Sequence, residues 1–253
     1  MLLRSSMSMT SALFGFQGKG VDGGDGARPP AMQQGEAAAH LTFAADRLEV
    51  QAPALPAEAF ERLKEAIEGL VDTERSYLPT HKKGGTVAYS TLRQSAPGVV
   101  EVYRSAELVT RVSAITGVAV VPTPERDESS CSVLFYERPG DHIGWHYDHN
   151  FYRGRHFTVL IPILNRGWRA GGLSSARLEA RRRREVVEVP TRPNSLIVFE
   201  GQAVLHRVTP IAADERRIML SMTYCADPRA SRVQDLKRRV KDVAFFGPRA
   251  LWS

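Results

Sequence analysis

Two short stretches, Gly144-Trp145-His146-Tyr147-Asp148 and Leu205-His206-Arg207-Val208, carry two imidazoles and a carboxylate that could meet in one place. Two histidines and one acid on one face of an octahedron, with the other positions open, form the ligand set of Fe(II) sites that activate dioxygen. Residues two apart on an extended chain point to the same face. A strand over 143–148 would therefore aim His146 and Asp148 together and turn Tyr147 away. The Pro139-Gly140 turn ahead of it, with its aromatic and branched residues, makes this stretch read as a strand entering a loop. His206 sits in a second short apolar run, 204–208. A lone His-X-Asp triplet is common in polar loops, so the weight falls on what surrounds it.

What surrounds it is an ordered set. Tyr136-Glu137-Arg138-Pro139-Gly140 closes an expected strand over 130–136, Phe157-Thr158-Val159-Leu160-Ile161-Pro162-Ile163-Leu164-Asn165 lies along a second that starts at His156, and Gly171-Gly172 comes next. Pro193-Asn194-Ser195-Leu196-Ile197-Val198-Phe199 then leads to His206-Arg207-Val208-Thr209-Pro210 and to a strand opening at Arg216-Arg217. In this order, over residues 130–224, these segments resemble the Fe(II)/2-oxoglutarate-dependent dioxygenase superfamily and, within it, the prolyl-4-hydroxylase-like group. The resemblance implies a mainly β fold with flanking α-helices, a double-stranded β-helix of the jelly-roll or cupin-like kind with ligands at strand ends.

It also implies roles. His146, Asp148 and His206 would hold Fe(II). The cosubstrate 2-oxoglutarate would chelate the metal through its keto acid end, and its far carboxylate would need a buried cation. A guanidinium suits that task because it stays charged and forks onto both oxygens. The family places this arginine about ten residues after the distal histidine, and Arg216 and Arg217 lie ten and eleven residues past His206. On a regular strand the two face opposite ways. Strict spacing favours Arg216, whereas phase with a small hydroxyl residue four positions on, Ser221, favours Arg217. The preference falls on Arg217, with Arg216 kept as the alternative. Tyr136 matches a tyrosine that reaches the cosubstrate or lines the pocket, a half-buried strand tyrosine being the alternative. His149, Asn150 and Tyr152, just past the ligand pair, are candidate substrate contacts.

The implied reaction consumes O2 and 2-oxoglutarate, releases succinate and carbon dioxide, and hydroxylates an unactivated C–H bond. Its substrate would be an amino acid, an amino-acid-derived small molecule or a peptidyl residue. Relatives that halogenate replace the acidic ligand by a small residue, so Asp148 argues against halogenation, while desaturation and ring closure stay open. A jelly roll that binds without turnover is a second reading, against which the full ligand set speaks. Nucleic-acid demethylases of the superfamily carry a second arginine six residues after the first. This chain has Met222 or Thr223 there, which disfavours nucleic acid as a partner.

The elements that must position these residues follow from composition and pattern. At 253 residues with 43% apolar content the chain can bury one sizeable core, so a single domain over 39–253 is expected. Residues 1–38 read as a disordered tail, since the Gly- and Pro-rich stretch 18–30 cannot hold a regular element. Arg4 and Lys19 precede the first acid, a composition with a trace of organelle targeting beside the cytoplasmic location otherwise expected. No apolar run is long enough to span a bilayer. Cys131 and Cys225 read as buried thiols of a reducing compartment. The excess of 34 basic over 28 acidic residues gathers in the run 181–184 and in Lys237-Arg238-Arg239 with Lys241, which read as solvated faces.

Ahead of the motifs, a strand is expected over 40–50, then a helix opening at Pro56 with Phe60, Leu63, Ile67, Leu70 and Val71 on one face. Thr80-His81-Lys82-Lys83-Gly84-Gly85 reads as a flexible basic loop able to fold over a substrate, before a strand over 86–92. Ser105 and Gly117 would cap a helix carrying Leu108, Val109, Val112 and Ile115. A C-terminal helix is expected over 236–243.

Overall fold

Successive side chains of a strand point to opposite faces, and in this chain the two sets fill two different cores. The computed structural model describes residues 41–70, 75–78 and 82–246, all within one unit spanning Ala37–Ser253. The expected tail, Val71, Thr80 and His81 lie outside the described residues.

The first half supplies a short helix α1 (Phe43–Asp46), strand β1 (Leu48–Gln51), helix α2 (Ala57–Glu68) and a hairpin of β2 (Arg75–Leu78) and β3 (Lys82–Val87). Helices α3 (Tyr89–Ser95), α4 (Pro97–Arg104) and α5 (Ala106–Thr116) follow, then β4 (Val121–Pro122). The second half begins with β5 (Cys131–Tyr136), β6 (His142–His146), β7 (His156–Arg166) and β8 (Leu178–Arg182). It continues through β9 (Glu185–Val189), β10 (Leu196–Glu200), β11 (His206–Val208) and β12 (Arg216–Cys225) to helix α6 (Arg232–Phe246). The strands run β1-β10-β7-β12-β5-β3-β6-β11-β8-β9 in space, with β2 beside β3 and β4 beside β12. The sheet is antiparallel and curls into a nearly closed barrel, the double-stranded β-helix.

Strand phase sorts the residues. On β12, Ile218, Leu220, Met222 and Tyr224 face the helices, as do Cys131, Val133 and Phe135 of β5 and Phe157, Val159, Ile161 and Ile163 of β7. These meet Phe60, Leu63 and Ile67 of α2, Val99 and Tyr103 of α4 and Leu108 and Val112 of α5. The opposite phase, with Tyr136, Leu160, Ile197, Phe199 and Met219, lines the barrel interior. Both cysteines are buried free thiols. Ser105 caps α5 by accepting from the Leu108 amide at 3.2 Å, and Gly117 ends it with a left-handed φ of 67°.

Three local expectations are corrected. Residues 40–50 are not one strand: Arg47 takes a left-handed φ of 56° between α1 and β1 and breaks the extension. The loop before residue 86 is largely strand β3, and residues 89–92 are helical, in α3. The glycines there serve close approach and not flexibility. A Cβ on Gly85 would stand 1.8 Å from the Phe135 ring, and one on Gly84 would stand 3.1 Å from the Phe135 carbonyl. Of the two basic clusters expected to be solvated, the run 181–184 is so where β8 turns into β9, whereas Arg238 of α6 is buried at 3% exposure.

Phe135 is buried at 1% exposure and cannot yield cheaply. Gly85→Ala is therefore expected to lower stability by about 1–3 kcal/mol, read from the midpoint of urea denaturation.

Candidate metal and 2-oxoglutarate site

The register of β6 against β11 sets His146 directly opposite His206, with ring centroids 4.1 Å apart. Each Nδ1 faces a backbone carbonyl, Gly144 at 2.8 Å for His146 and Val204 at 3.0 Å for His206. A carbonyl can only accept, so each Nδ1 carries the proton and the lone pair falls on Nε2. Asp148 lies two residues past His146, beyond the end of β6, and Tyr147 between them is half exposed. The Asp148 Oδ1 is 3.6 Å from His146 Nε2 and 3.9 Å from His206 Nε2. All three ligand atoms lie within 4.8 Å of one another, a set that could hold a metal ion.

Two residues that no motif singled out fix the carboxylate. The Thr158 hydroxyl on β7 donates to Asp148 Oδ2 at 2.5 Å, and the Asp148 amide donates to the Gly201 carbonyl at 3.0 Å. A Cβ on Gly201 would sit 2.7 Å from that of Asp148, so only glycine lets the turn after β10 approach so closely. The available signal was a hydroxyl at an inward phase of an otherwise apolar strand, Phe157-Thr158-Val159.

The charge states suit metal binding. Burial pushes the His206 imidazole down to about 4. Burial would raise Asp148, but His206, His146 and the Thr158 hydroxyl outweigh it and hold the carboxyl well below its usual range. For His146 burial is outweighed by the hydrogen bond and charge of Asp148, and the net shift is upward. A neutral His206 and an ionised Asp148 are the forms a metal requires.

Deeper in the barrel, Arg217 is fully buried opposite Tyr136 on β5. Its Nη1 donates to the Ala176 carbonyl at 2.7 Å, while its Nε and Nη2, and the Tyr136 hydroxyl, have no hydrogen-bond partner among the described residues. Burial lowers the guanidinium to about 10 and pushes the phenol up. Arg216 points the other way and donates to Glu137 at 2.6 Å outside the barrel.

The substrate candidates separate. Asn150 closes a turn, accepting from the Tyr152 amide at 2.8 Å and donating to the Gly154 carbonyl at 2.7 Å. Tyr152 is buried and donates to Asp127 at 2.8 Å. His149 alone is exposed, its ring stacked on Phe151 at 5.9 Å. Lys82 is buried with its ammonium 2.5 Å from the Thr86 hydroxyl, close enough to act electrostatically on His146, and burial lowers it to about 8. His156, at the start of β7, is also buried.

The sequence family described as Halogenase D matches residues 33–172, more than half of the chain, and the 2OG-Fe(II) oxygenase superfamily matches residues 131–224. The chain belongs to both. No curated protein matches this oxygenase in sequence. Among solved structures it is similar to a prolyl-4-hydroxylase from Pseudomonas putida at 16% identity and TM-score 0.52, with 74% of this chain and 96% of that one covered. The carbocyclase SnoK from nogalamycin biosynthesis aligns at 12% identity and TM-score 0.59, covering 84% and 94%. The epimerase SnoN, solved with Fe3+ and alpha ketoglutarate, aligns at 14% and 0.57, covering 72% and 80%. At these identities the likeness establishes the fold, which thus carries members named for three different outcomes.

Two measurements probe the site. Thr158→Val or Gly201→Ala in the oxygenase should weaken Co(II) binding about 10–100-fold, by calorimetric titration, with the fold retained by circular dichroism. In the metal-free protein the unfolded chain protonates a histidine near 6.5, whereas folded His206 waits until about 4. Stability should therefore fall as pH drops through that window. His146, shifted upward, works in the other direction, so His206→Phe should flatten the measured decline specifically.

Proposed function

We propose that this 2OG-Fe(II) oxygenase hydroxylates an unactivated C–H bond of an amino acid, an amino-acid-derived small molecule or a peptidyl residue. The observation that carries the reading is the third ligand. Asp148 fills the position that halogenating relatives leave to a halide, and Thr158 and Gly201 hold it there. The Halogenase D match therefore supports the scaffold, and the carboxylate supports hydroxylation over halogenation.

The residues present fit both groups that the family uses. His146, Asp148 and His206 would hold Fe(II) through two Nε2 atoms and one carboxylate oxygen. Arg217 and Tyr136 would take the far carboxylate of 2-oxoglutarate, since each buries polar atoms without a partner among the described residues and an anion would satisfy them. Bound there, iron with 2-oxoglutarate and dioxygen supplies the oxidising power for the C–H bond, with release of succinate and carbon dioxide. The chain itself keeps the His206 imidazole neutral, keeps Asp148 ionised, and excludes water behind Phe199, which packs edge-on against His206 at 4.7 Å. His149, the exposed ring beside the ligands, would meet the substrate. The folded region for this work would be the single domain 39–253. Among the described residues no helix is long and apolar enough to cross a membrane. Met222 packs in the helix-side core and Thr223 is bonded to Thr123 at 2.7 Å, so neither offers the second strand arginine of a nucleic-acid demethylase.

The test incubates Fe(II)-loaded protein with 2-oxoglutarate, chloride and a panel of free and peptidyl amino acids, following succinate and product mass. A substrate-dependent gain of one oxygen atom is expected. A chlorinated product, or no substrate-stimulated succinate together with no metal binding, would overturn the reading. Arg217→Met should weaken 2-oxoglutarate binding about 10–100-fold, and Arg216→Met by no more than about threefold. The reverse ranking would move the cosubstrate to the other face of β12.

A further inference from the structure

Helix α6 is packed inside out. Arg238 and Asp242 are 3% and 0% exposed, whereas Val233, Leu236 and Val240 are 63%, 63% and 51% exposed. Charge holds the buried face. Arg238 pairs with Asp242 at 2.6 Å and with Asp235 at 3.2 Å, and it donates to the Arg126 carbonyl. Lys241 reaches Asp127 and Asp242, both at 3.0 Å, and Ser129 at 2.7 Å. Surface helices of soluble domains ordinarily bury the apolar face and expose the charged one.

The three exposed aliphatics follow the spacing i, i+3, i+7, the a, d and a positions of a heptad. Branched valines at a and leucine at d are the side chains of a two-stranded helical seam. The e and g positions beside that seam are Arg232, Lys237 and Arg239, all exposed, with Arg239 drawn at 3.3 Å toward Asp235 of its own helix. A second copy of α6 would set these cations against one another. A helix with acidic residues at its own e and g positions would neutralise them.

We propose that α6 is the docking helix for an acidic amphipathic helix of a partner protein, whose apolar residues pack on Val233, Leu236 and Val240. The buried face of the same helix points back toward the metal site. Lys241, on the same helix, stands 5.2 Å over the Phe151 ring, which stacks on His149 one residue past Asp148. A partner seated on the exposed face of α6 is thereby linked to those residues through the helix itself.

The test uses the full chain and a fluorescein-labelled synthetic helix with Leu at a and d and Glu at e and g, read by anisotropy. Saturable binding is expected, weakened by salt and weakened about 30-fold or more by Leu236→Lys. Lys237→Glu with Arg239→Glu should lose this helix and gain one flanked by lysines. Because Leu236 is exposed, Leu236→Lys should leave the thermal midpoint unchanged; a lowered midpoint would mean that the stripe is already covered within the protein, and would overturn the proposal. So would absence of peptide binding, equal binding by wild type and Leu236→Lys, co-sedimentation with phosphatidylglycerol vesicles in place of peptide binding, or a dimer that Leu236→Lys dissociates.

Discussion

The pairing of β6 with β11 is the constraint on which the rest of the site depends. It sets His146 opposite His206 on the inner face of the barrel, and because side chains alternate, a slip of one residue would turn either histidine outward. Asp148 lies past the last paired residue, so register alone does not place it. The turn after β10 and the hydroxyl of β7 do so instead, through Gly201 and Thr158. Four separate segments must be in register before three ligand atoms share one small volume.

That arrangement needs a second, largely apolar core. Polar groups inside the barrel cost solvation that they do not fully recover there, so the interior contributes less stability than its burial suggests. The compensating surface lies on the other phase of the same strands, where β5, β7 and β12 present an apolar face to α2, α4 and α5. One strand thus serves two ends. On β12, Ile218 and Leu220 stabilise the fold while Arg217, one residue before them on the opposite face, is held at 0% exposure. The helices, remote from chemistry, are what make a buried guanidinium tolerable.

Much of this was legible in the sequence where one period dominates. The alternation along β5, β7 and β12 and the Ser105 and Gly117 caps each obey a local rule, and the structure places them accordingly, whereas the expected strand over 143–148 stops at His146 and Asp148 is placed by contacts from outside it. Phase alone set Arg216 and Arg217 on opposite faces, and the structure shows which is interior. What was not legible depended on contacts distant along the chain. Gly84 and Gly85 looked like a loop because the ring and carbonyl of Phe135, which demand them, lie fifty residues away. Gly201 gave no signal for the same reason, and Thr158 gave only that of a lone hydroxyl in an apolar strand. The hairpin of β8 and β9 hid in an arginine run whose charges sit outside the barrel, and the short α1 interrupted a pattern that otherwise reads as strand.

Two kinds of buried polar group coexist in the molecule, and hydrogen bonding tells them apart. Under α6, Asp127 receives the Lys241 ammonium, the Tyr152 hydroxyl and the Ser129 amide, while Asp242 takes Arg238 at 2.6 Å and lies 3.0 Å from Lys241. Those charges answer one another, and such a cluster fastens a helix. Inside the barrel the pattern differs, for Arg217 spends one nitrogen on the Ala176 carbonyl and leaves two, with the Tyr136 hydroxyl close by, unanswered by any described residue. An open buried donor costs stability unless something outside the chain completes it, and Arg217 carries two such donors. The same reasoning applies in reverse to α6, where the charges are satisfied and the aliphatic side chains are the groups left in water.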